Sequence, residues 1–203
     1  MNKYLRSCKR EFWSNVFGAE LEYTLQELKG TKDVLSVGCG PAIIESGLAE
    51  HGFNVTGLDI SEQALSQAPD SVRTVAGSAE NMVFSDSSFD AIIYITSLQF
   101  IDNYRKAVKE TTRILKKDGR ILVMLLNTES DFFKNKSRNP ASYVNRIRHT
   151  NLKEIEETIA GHFAVRTEYL LGIKGEEIFQ SSDPDLAGLY VVKGKKITSR
   201  NKV

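Results

Sequence analysis

Apolar and polar positions along this chain alternate between two periods, short buried-type runs and longer stretches at helical spacing. Between residues 4 and 28, Trp13, Phe17, Leu21, Leu25 and Leu28 recur at helical spacing with Phe12 and Val16 beside them, until Gly30 stops the run; one or two packing helices are predicted. Val34, Leu35 and Val37 read as a buried strand, followed by a turn at Gly38 and Gly40 and by Pro41, which suits the first position of a helix closed by Gly52. A second strand, residues 54–58, delivers Asp59 to its carboxyl end. Ser61 caps the next helix, Pro69 ends it, and residues 72–75 form a short strand. Residues 89–95 are a strongly apolar strand. Asp102 is the expected cap of a helix whose buried side includes Tyr104, Val108, Thr111, Ile114 and Leu115, with Asp118-Gly119 turning the chain into a strand over 120–126.

Beyond Asn127 the pattern changes. Residues 128–150 are polar, irregular and basic, carrying Lys134, Lys136, Arg138, Arg146 and Arg148 with no acid after Asp131, which makes them a candidate lid. Asn151 and Glu154 form a plausible capping box for a helix ended by Gly161. Residues 163–173 and 189–193 are β-rich and separated by an acidic connection, consistent with a terminal antiparallel pair. Strands alternating with helices predict an α/β, doubly wound, mostly parallel sheet with helices on both faces and ligands at the strand carboxyl ends. One domain over 1–203 is expected, with residues 1–29 as a helical cap and no internal repeat.

Composition narrows the function classes. The 203 residues are 41% hydrophobic and 26% charged, an ordinary globular balance, and no apolar run approaches membrane length. A formal charge of +1 argues against a chain built to grip long nucleic acid, although local basic patches remain open. Cys8 and Cys39 give no metal spacing, His51, His149 and His162 are scattered, and no secretory signal is visible despite Lys3, Arg6, Lys9 and Arg10; no metal and a reducing cytoplasm are expected.

The chemistry concentrates where the first strand ends. Gly38 and Gly40 let the backbone come close to a ligand, and roughly twenty residues on, the Asp59 carboxylate stands where it can accept hydrogen bonds from both hydroxyls of a ribose. A nicotinamide dehydrogenase would carry a third glycine at position 43, where this chain has Ile43.

These residues resemble the seven-stranded, class I S-adenosylmethionine-dependent methyltransferases, in particular their small-molecule branch. Residues 34–42 resemble the acid-x-Gly-x-Gly-x-Gly cofactor loop, 57–61 the ribose-binding strand end, 77–80 the adenine-edge turn, 88–93 the fourth strand, and 115–122 the turn into the fifth strand, in matching order over roughly residues 30–126. The resemblance implies a Rossmann-like seven-stranded sheet with an antiparallel C-terminal strand, S-adenosyl-L-methionine as cofactor and S-adenosyl-L-homocysteine as product. Position by position, it implies that Gly38, Cys39 and Gly40 run beneath the methionine and ribose portions and Asp59 holds the ribose. Ile60 would pack on adenine and Ala79 would offer its N–H to the ring. Ser78 stands where the family has an aspartate facing the exocyclic amine, Glu80 contacts the cofactor or caps the turn, and Tyr94 and Ile95 approach the methionine end. Three departures stand out: Ser36 replaces the acid that opens the loop, Ala42 replaces its last glycine, and Ser78 replaces the adenine-facing acid. A hydroxyl at position 36 does not supply the charge-assisted contact that a carboxylate gives an ammonium, so binding is expected to rest on the ribose clamp and backbone contacts.

The implied reaction moves a methyl group in line from a sulfonium to a nucleophile, which calls for positioning and water exclusion rather than a metal or triad. No catalytic base stands out. Gln99 lies near the position where the branch often carries a histidine and is a candidate for orienting the acceptor. Phe132, Phe133 and Tyr143 are candidates for covering it, and the cations of the lid suit an anionic small molecule, with a plain solvated face as the alternative. Two other functions remain open: a cofactor-binding or regulatory protein with little turnover, and an RNA methyltransferase. The expected partners are a small-molecule substrate and, at most, a second copy of the chain, with no membrane.

Overall fold

The structure, a computed structural model, describes residues 11–197. The N-terminal basic residues and Cys8 lie outside them, so the predicted first helix is seen only as α1, Glu11–Glu27. Then follow β1 (Asp33–Val37), α2 (Ile43–Glu50), β2 (Asn54–Asp59), α3 (Glu62–Leu65), β3 (Arg73–Ala76), β4 (Phe89–Ile95), α4 (Tyr104–Ile114) and β5 (Leu115–Leu126). The chain closes through α5 (Asp131–Ser137), α6 (Leu152–Ala160), β6 (Phe163–Lys174), β7 (Glu177–Phe179) and β8 (Ala187–Lys196).

The strands form one sheet in the order β3-β2-β1-β4-β5-β8-β6-β7. The pairs from β3 to β5 are parallel, and β5–β8, β8–β6 and β6–β7 are antiparallel. The order reverses between β1 and β4, so their carboxyl ends open a crevice, the usual ligand position in such folds. The sheet has eight strands rather than seven. The addition is β7, a three-residue edge strand in the acidic connection, turned back onto β6 at Gly175, whose φ of +64° suits a tight hairpin.

Alternation along the central strands divides the core in two. Leu35, Val37, Ile92, Tyr94, Ile121, Val123 and Leu125 pack under α4 and α6. Val34, Ala91, Ile93, Leu122, Met124 and Leu126 point the other way, under α1, α2 and α5. Helices therefore cover both faces. At the amino ends of the strands, Lys116 bridges Asp33 and Asp90 at 2.9 and 2.8 Å, while Asp90 accepts the backbone N–H of Lys32 and Asp33.

Several boundaries differ from expectation. Pro41 precedes α2 instead of starting it, because Ala42 takes the N-cap position in left-handed conformation with φ 57°. This is the position where the family loop has glycine, and the angle explains why glycine suits it. α3 is a single capped turn ending well before Pro69. α4 is capped by Asn103 rather than Asp102, with the Asn103 side chain accepting from Lys106 N, and it stops at Ile114 because Leu115 already pairs with Phe89. Residues 128–150 are not irregular throughout: they hold α5 and a 3-10 turn, Tyr143–Arg146. Asn151 caps α6 as predicted, accepting from Glu154 N, while the Glu154 carboxylate pairs with Arg105.

Candidate functional site

A cleft of about 530 Å³ opens at the switch point between β1 and β4, within the ~300–1,000 Å³ usual for small-ligand sites. Its floor is Val37, Gly38, Leu58 and Asp59, one wall is Ile60 with residues 77–80, and the far side is formed by Thr96, Ser97, Tyr143, Arg146 and Arg148. The glycine turn sits across it. Gly38 (φ +75°) cannot carry a side chain, since a Cβ there would lie 2.5 Å from the Ser97 Cβ. Gly40 (φ +54°) has open space where its Cβ would be.

Asp59 organises this floor. One carboxylate oxygen accepts Gly40 N at 2.8 Å and the other accepts Ser61 N at 2.8 Å. Each oxygen keeps a further lone pair, so the carboxylate is aimed and still able to accept from a diol. Beside it Ile60 is 80% exposed, an apolar surface at the cleft wall that the described residues leave uncovered. Across the wall, Ser78 accepts Glu80 N at 3.1 Å, and the N–H of Ala79 has no acceptor among the described residues. A flat heterocycle between Ile60 and Ala79, with its sugar on Asp59, satisfies each of these groups. The residues present therefore fit an adenosyl cofactor.

On the other side of the glycine turn lies a smaller cavity of about 120 Å³, which shares Gly38 and Thr96 with the cleft and is lined by Phe17, Glu20, Cys39, Gly40, Glu45 and Ile95 among others. Thr96 takes φ 49°, a rare conformation for a β-branched residue and a local strain at the junction of the two spaces. Ser36 reaches this region from below. It is buried, and its hydroxyl donates to Glu45 Oε1 at 2.5 Å. Cys39 packs its sulfur over Gly57, and burial, Glu45 and Asp59 push its thiol pKa up, so it is no nucleophile near neutrality.

Four expected contacts lie elsewhere. Tyr94 is fully buried under α4, its hydroxyl 2.7 Å from Thr111 Oγ1, because it shares the face of Ile92 and not that of Ile95; only Ile95 reaches the small cavity. Gln99 is fully buried and its amide is committed: Oε1 accepts Leu126 N at 2.7 Å while Nε2 donates to Leu126 O and His149 O. It fastens the segment after the 3-10 turn to β5 and has no group left to orient an acceptor. Phe132, 7% exposed, packs on Phe12 and Trp13, and Phe133 joins the same core; neither lines the cleft. Glu80 lines the cleft but accepts Asn103 N at 3.0 Å, tying the turn to the start of α4. Tyr143 does reach the cleft, edge-on to Trp13. Of the five lid cations, Lys136 stands over the Phe12, Trp13 and Phe132 rings, Arg148 pairs with Asp102 at 2.6 Å, and Arg146 and Arg148 line the cleft mouth. His149 is held edge-on to Tyr104 with Nε2 2.9 Å from Ile101 O.

Glu20, Glu45 and Thr96 were not singled out as contacts by the sequence. The available signal was an acid at helical spacing within an apolar face: Val16, Glu20 and Thr24 are the buried residues of α1, and Glu45 lies between Ile44 and Leu48 in α2. Among the described residues no cluster of three or more metal-binding side chains occurs, and no helix is long and apolar enough to cross a membrane.

A switch-point crevice with a glycine turn and a carboxylate at the end of β2 defines a Rossmann-like domain for a nucleoside cofactor. The family model described as a methyltransferase domain matches residues 35–123. A sterol 4-C-methyltransferase from Caenorhabditis elegans is 32% identical over 53% of this chain and 35% of its own length. A ubiquinone biosynthesis O-methyltransferase from Dechloromonas aromatica is 29% identical over 56% of the chain and 48% of its own. The match thus spans half or less of these curated relatives. A crystal structure of an S-adenosylmethionine-dependent methyltransferase from Thermotoga maritima, described as a possible histamine N-methyltransferase, superposes with a TM-score of 0.79 at 22% identity, covering 97% of this chain and 95% of that one. Residues 35–123 are thus similar to a methyltransferase domain, and the fold is the one seen in the Thermotoga maritima S-adenosylmethionine-dependent methyltransferase.

Proposed function

We propose that this chain transfers the methyl group of S-adenosyl-L-methionine to a small anionic metabolite. The observation that carries the reading is the aimed, partly free carboxylate of Asp59 beside the exposed face of Ile60 in a cleft of ligand size. The matches to a sterol 4-C-methyltransferase and to a ubiquinone biosynthesis O-methyltransferase support a small acceptor. When bound, the cofactor supplies an already electrophilic methyl carbon.

The protein's share is to bind, aim and exclude water. Asp59 and Ala79 would hold the nucleoside, and the turn at 38–40 would leave room for the rest. Tyr143 would cover the acceptor, and Arg146 with Arg148 would receive its negative charge at the mouth. Gln99, expected to orient the acceptor, spends its amide on backbone carbonyls and a backbone N–H, and His149 Nε2 lies against the Ile101 and Asp102 carbonyls. This favours an acceptor that arrives as its own nucleophile, or one that loses its proton to water.

Titration calorimetry with S-adenosyl-L-homocysteine, followed by transfer of labelled methyl to the small-molecule fraction of a cell extract, tests both halves. Binding followed by a labelled acidic product is expected. Absence of binding removes the reading, and binding without transfer to any extract would leave a cofactor-binding regulator in its place. Labelling confined to the RNA fraction would favour RNA methylation.

A further inference from the structure

We infer that Glu20 and Glu45 together form the acidic seat for the α-ammonium group of the cofactor's amino-acid end, relocating onto two helices the negative charge that this chain lacks at position 36. The inference rests on the cofactor reading above and adds residues to it.

Three observations converge. First, Ser36 is buried on the strand where the resemblance expects an acid, and it donates its hydroxyl to Glu45 Oε1. The serine thereby orients a carboxylate delivered from α2. Second, Glu20 enters the same 120 Å³ cavity from α1; it is 4% exposed, and its carboxylate has no hydrogen-bond partner among the described residues. Its oxygens are not sealed off but open onto the cavity, so a carboxyl group held in an otherwise buried side chain is free to pair with a group that docks there. Third, the cavity borders the nucleoside cleft at Gly38 and Thr96, which line both, so a chain leading away from the sugar over the glycine turn heads toward the two acids.

The electrostatics suit a cation. Glu20 is pushed up to about 8, by burial first and then by the charge of Glu45. Glu45 is pushed up to about 7, again chiefly by burial, with Ser36 and its own backbone N–H pulling down and Asp59 pushing up. The other titratable neighbours named in these interactions are Asp59 on β2 and the Cys39 thiol in the turn, and neither brings positive charge. Near neutrality the empty seat therefore holds protons. An arriving ammonium replaces them as the counter-charge, so occupation releases protons to solvent.

The test compares two ligands on the full chain. S-adenosyl-L-homocysteine carries the amino-acid end; 5′-methylthioadenosine keeps the nucleoside and sulfur but lacks it. Glu20→Gln and Glu45→Gln should each weaken the first ligand about 10- to 100-fold, the worth of one charge-assisted hydrogen bond, while leaving the second within about twofold. Equal losses for both ligands, or none for the first, would overturn the seat. A second measurement needs no variant: at pH 7, calorimetry of the unmodified protein in buffers of different ionisation enthalpy should show proton release with S-adenosyl-L-homocysteine and none with 5′-methylthioadenosine. Equal proton release for both overturns it as well. If the unmodified protein binds neither ligand, the cofactor reading falls and the seat with it; if it binds both and only the selectivity is missing, the seat alone falls.

Discussion

The Asp59 carboxylate accepts the backbone N–H of Gly40 at 2.8 Å, joining the end of β2 to a turn nineteen residues upstream. Its other oxygen accepts Ser61 N, so a single side chain fixes both lips of the nucleoside cleft. Asp59→Asn keeps the size but turns an amide N–H toward one of the two backbone donors. Affinity for S-adenosyl-L-homocysteine should drop about 10- to 100-fold, and stability should fall by about 1–3 kcal/mol from the unpaired donor. Calorimetry and urea unfolding measure the two effects separately. Unchanged affinity in the asparagine variant would detach Asp59 from the ligand.

Gly40 and Gly38 make a controlled pair. Both have positive φ, so alanine at either strains the backbone by about 1–2 kcal/mol. A Cβ at position 38 also collides with Ser97, whose hydroxyl is bonded to Val37 O, whereas one at position 40 meets nothing within 4 Å among the described residues beyond its chain neighbours. Gly38→Ala should therefore lower the melting temperature more than Gly40→Ala. Ligand binding should suffer in both, because at position 40 the methyl group enters space that the protein leaves open. A Gly40→Ala protein that binds S-adenosyl-L-homocysteine normally would show that no ligand uses that space.

Gln99 illustrates how a site expectation became a structural one. Its replacement by alanine strands the N–H and C=O of Leu126 and loses the bond to His149 O in a fully buried place. The expected cost is about 2–4 kcal/mol in urea unfolding. At a temperature where the variant remains folded, the affinity for S-adenosyl-L-homocysteine should be unchanged. A stable Gln99→Ala protein with a specific binding or turnover defect would restore the earlier view.

The parallel half of the sheet was readable because β4 and β5 are long apolar runs and because Gly38, Asp59 and residues 77–80 are local signals of strand ends. Tyr94 was misplaced although the period-two alternation held the answer: it shares parity with Ile92, and the cavity side belongs to Ile93 and Ile95. Adjacent Asp102 and Asn103 both cap helices well, and only backbone geometry selects Asn103. β7 is three residues long and carries too little pattern to register. The acidic seat was invisible for a different reason. Glu20 and Glu45 are far apart in sequence, and helix packing above β1 is what brings them to Ser36.

That packing gives stability a pH dependence of definite sign. Glu20 and Glu45 ionise near 4.5 in the unfolded chain but at about 8 and about 7 when folded. Below pH 4.5 both states carry these protons and the stability they permit is fully present. As pH rises toward 7 and 8 the unfolded chain has lost them while the folded chain retains them, so stability declines by up to about 1.4 kcal/mol per pH unit for each group, then levels off. Asp33, Asp90 and Glu110 shift the opposite way: Lys116 holds the first down, backbone N–H groups and Lys116 outweigh desolvation at the second, and Arg113 holds the third down. Their contribution is lost on acidification below the usual carboxylate range. The ligand-free protein should therefore be most stable near pH 5 and melt earlier at pH 8, a decline that the Glu20→Gln, Glu45→Gln double variant flattens. Thermal unfolding followed by circular dichroism between pH 5 and 9 reads this directly. A melting temperature as high at pH 8 as at pH 5 in the unmodified chain would mean that the two carboxyl groups are not held protonated under α1 and α2.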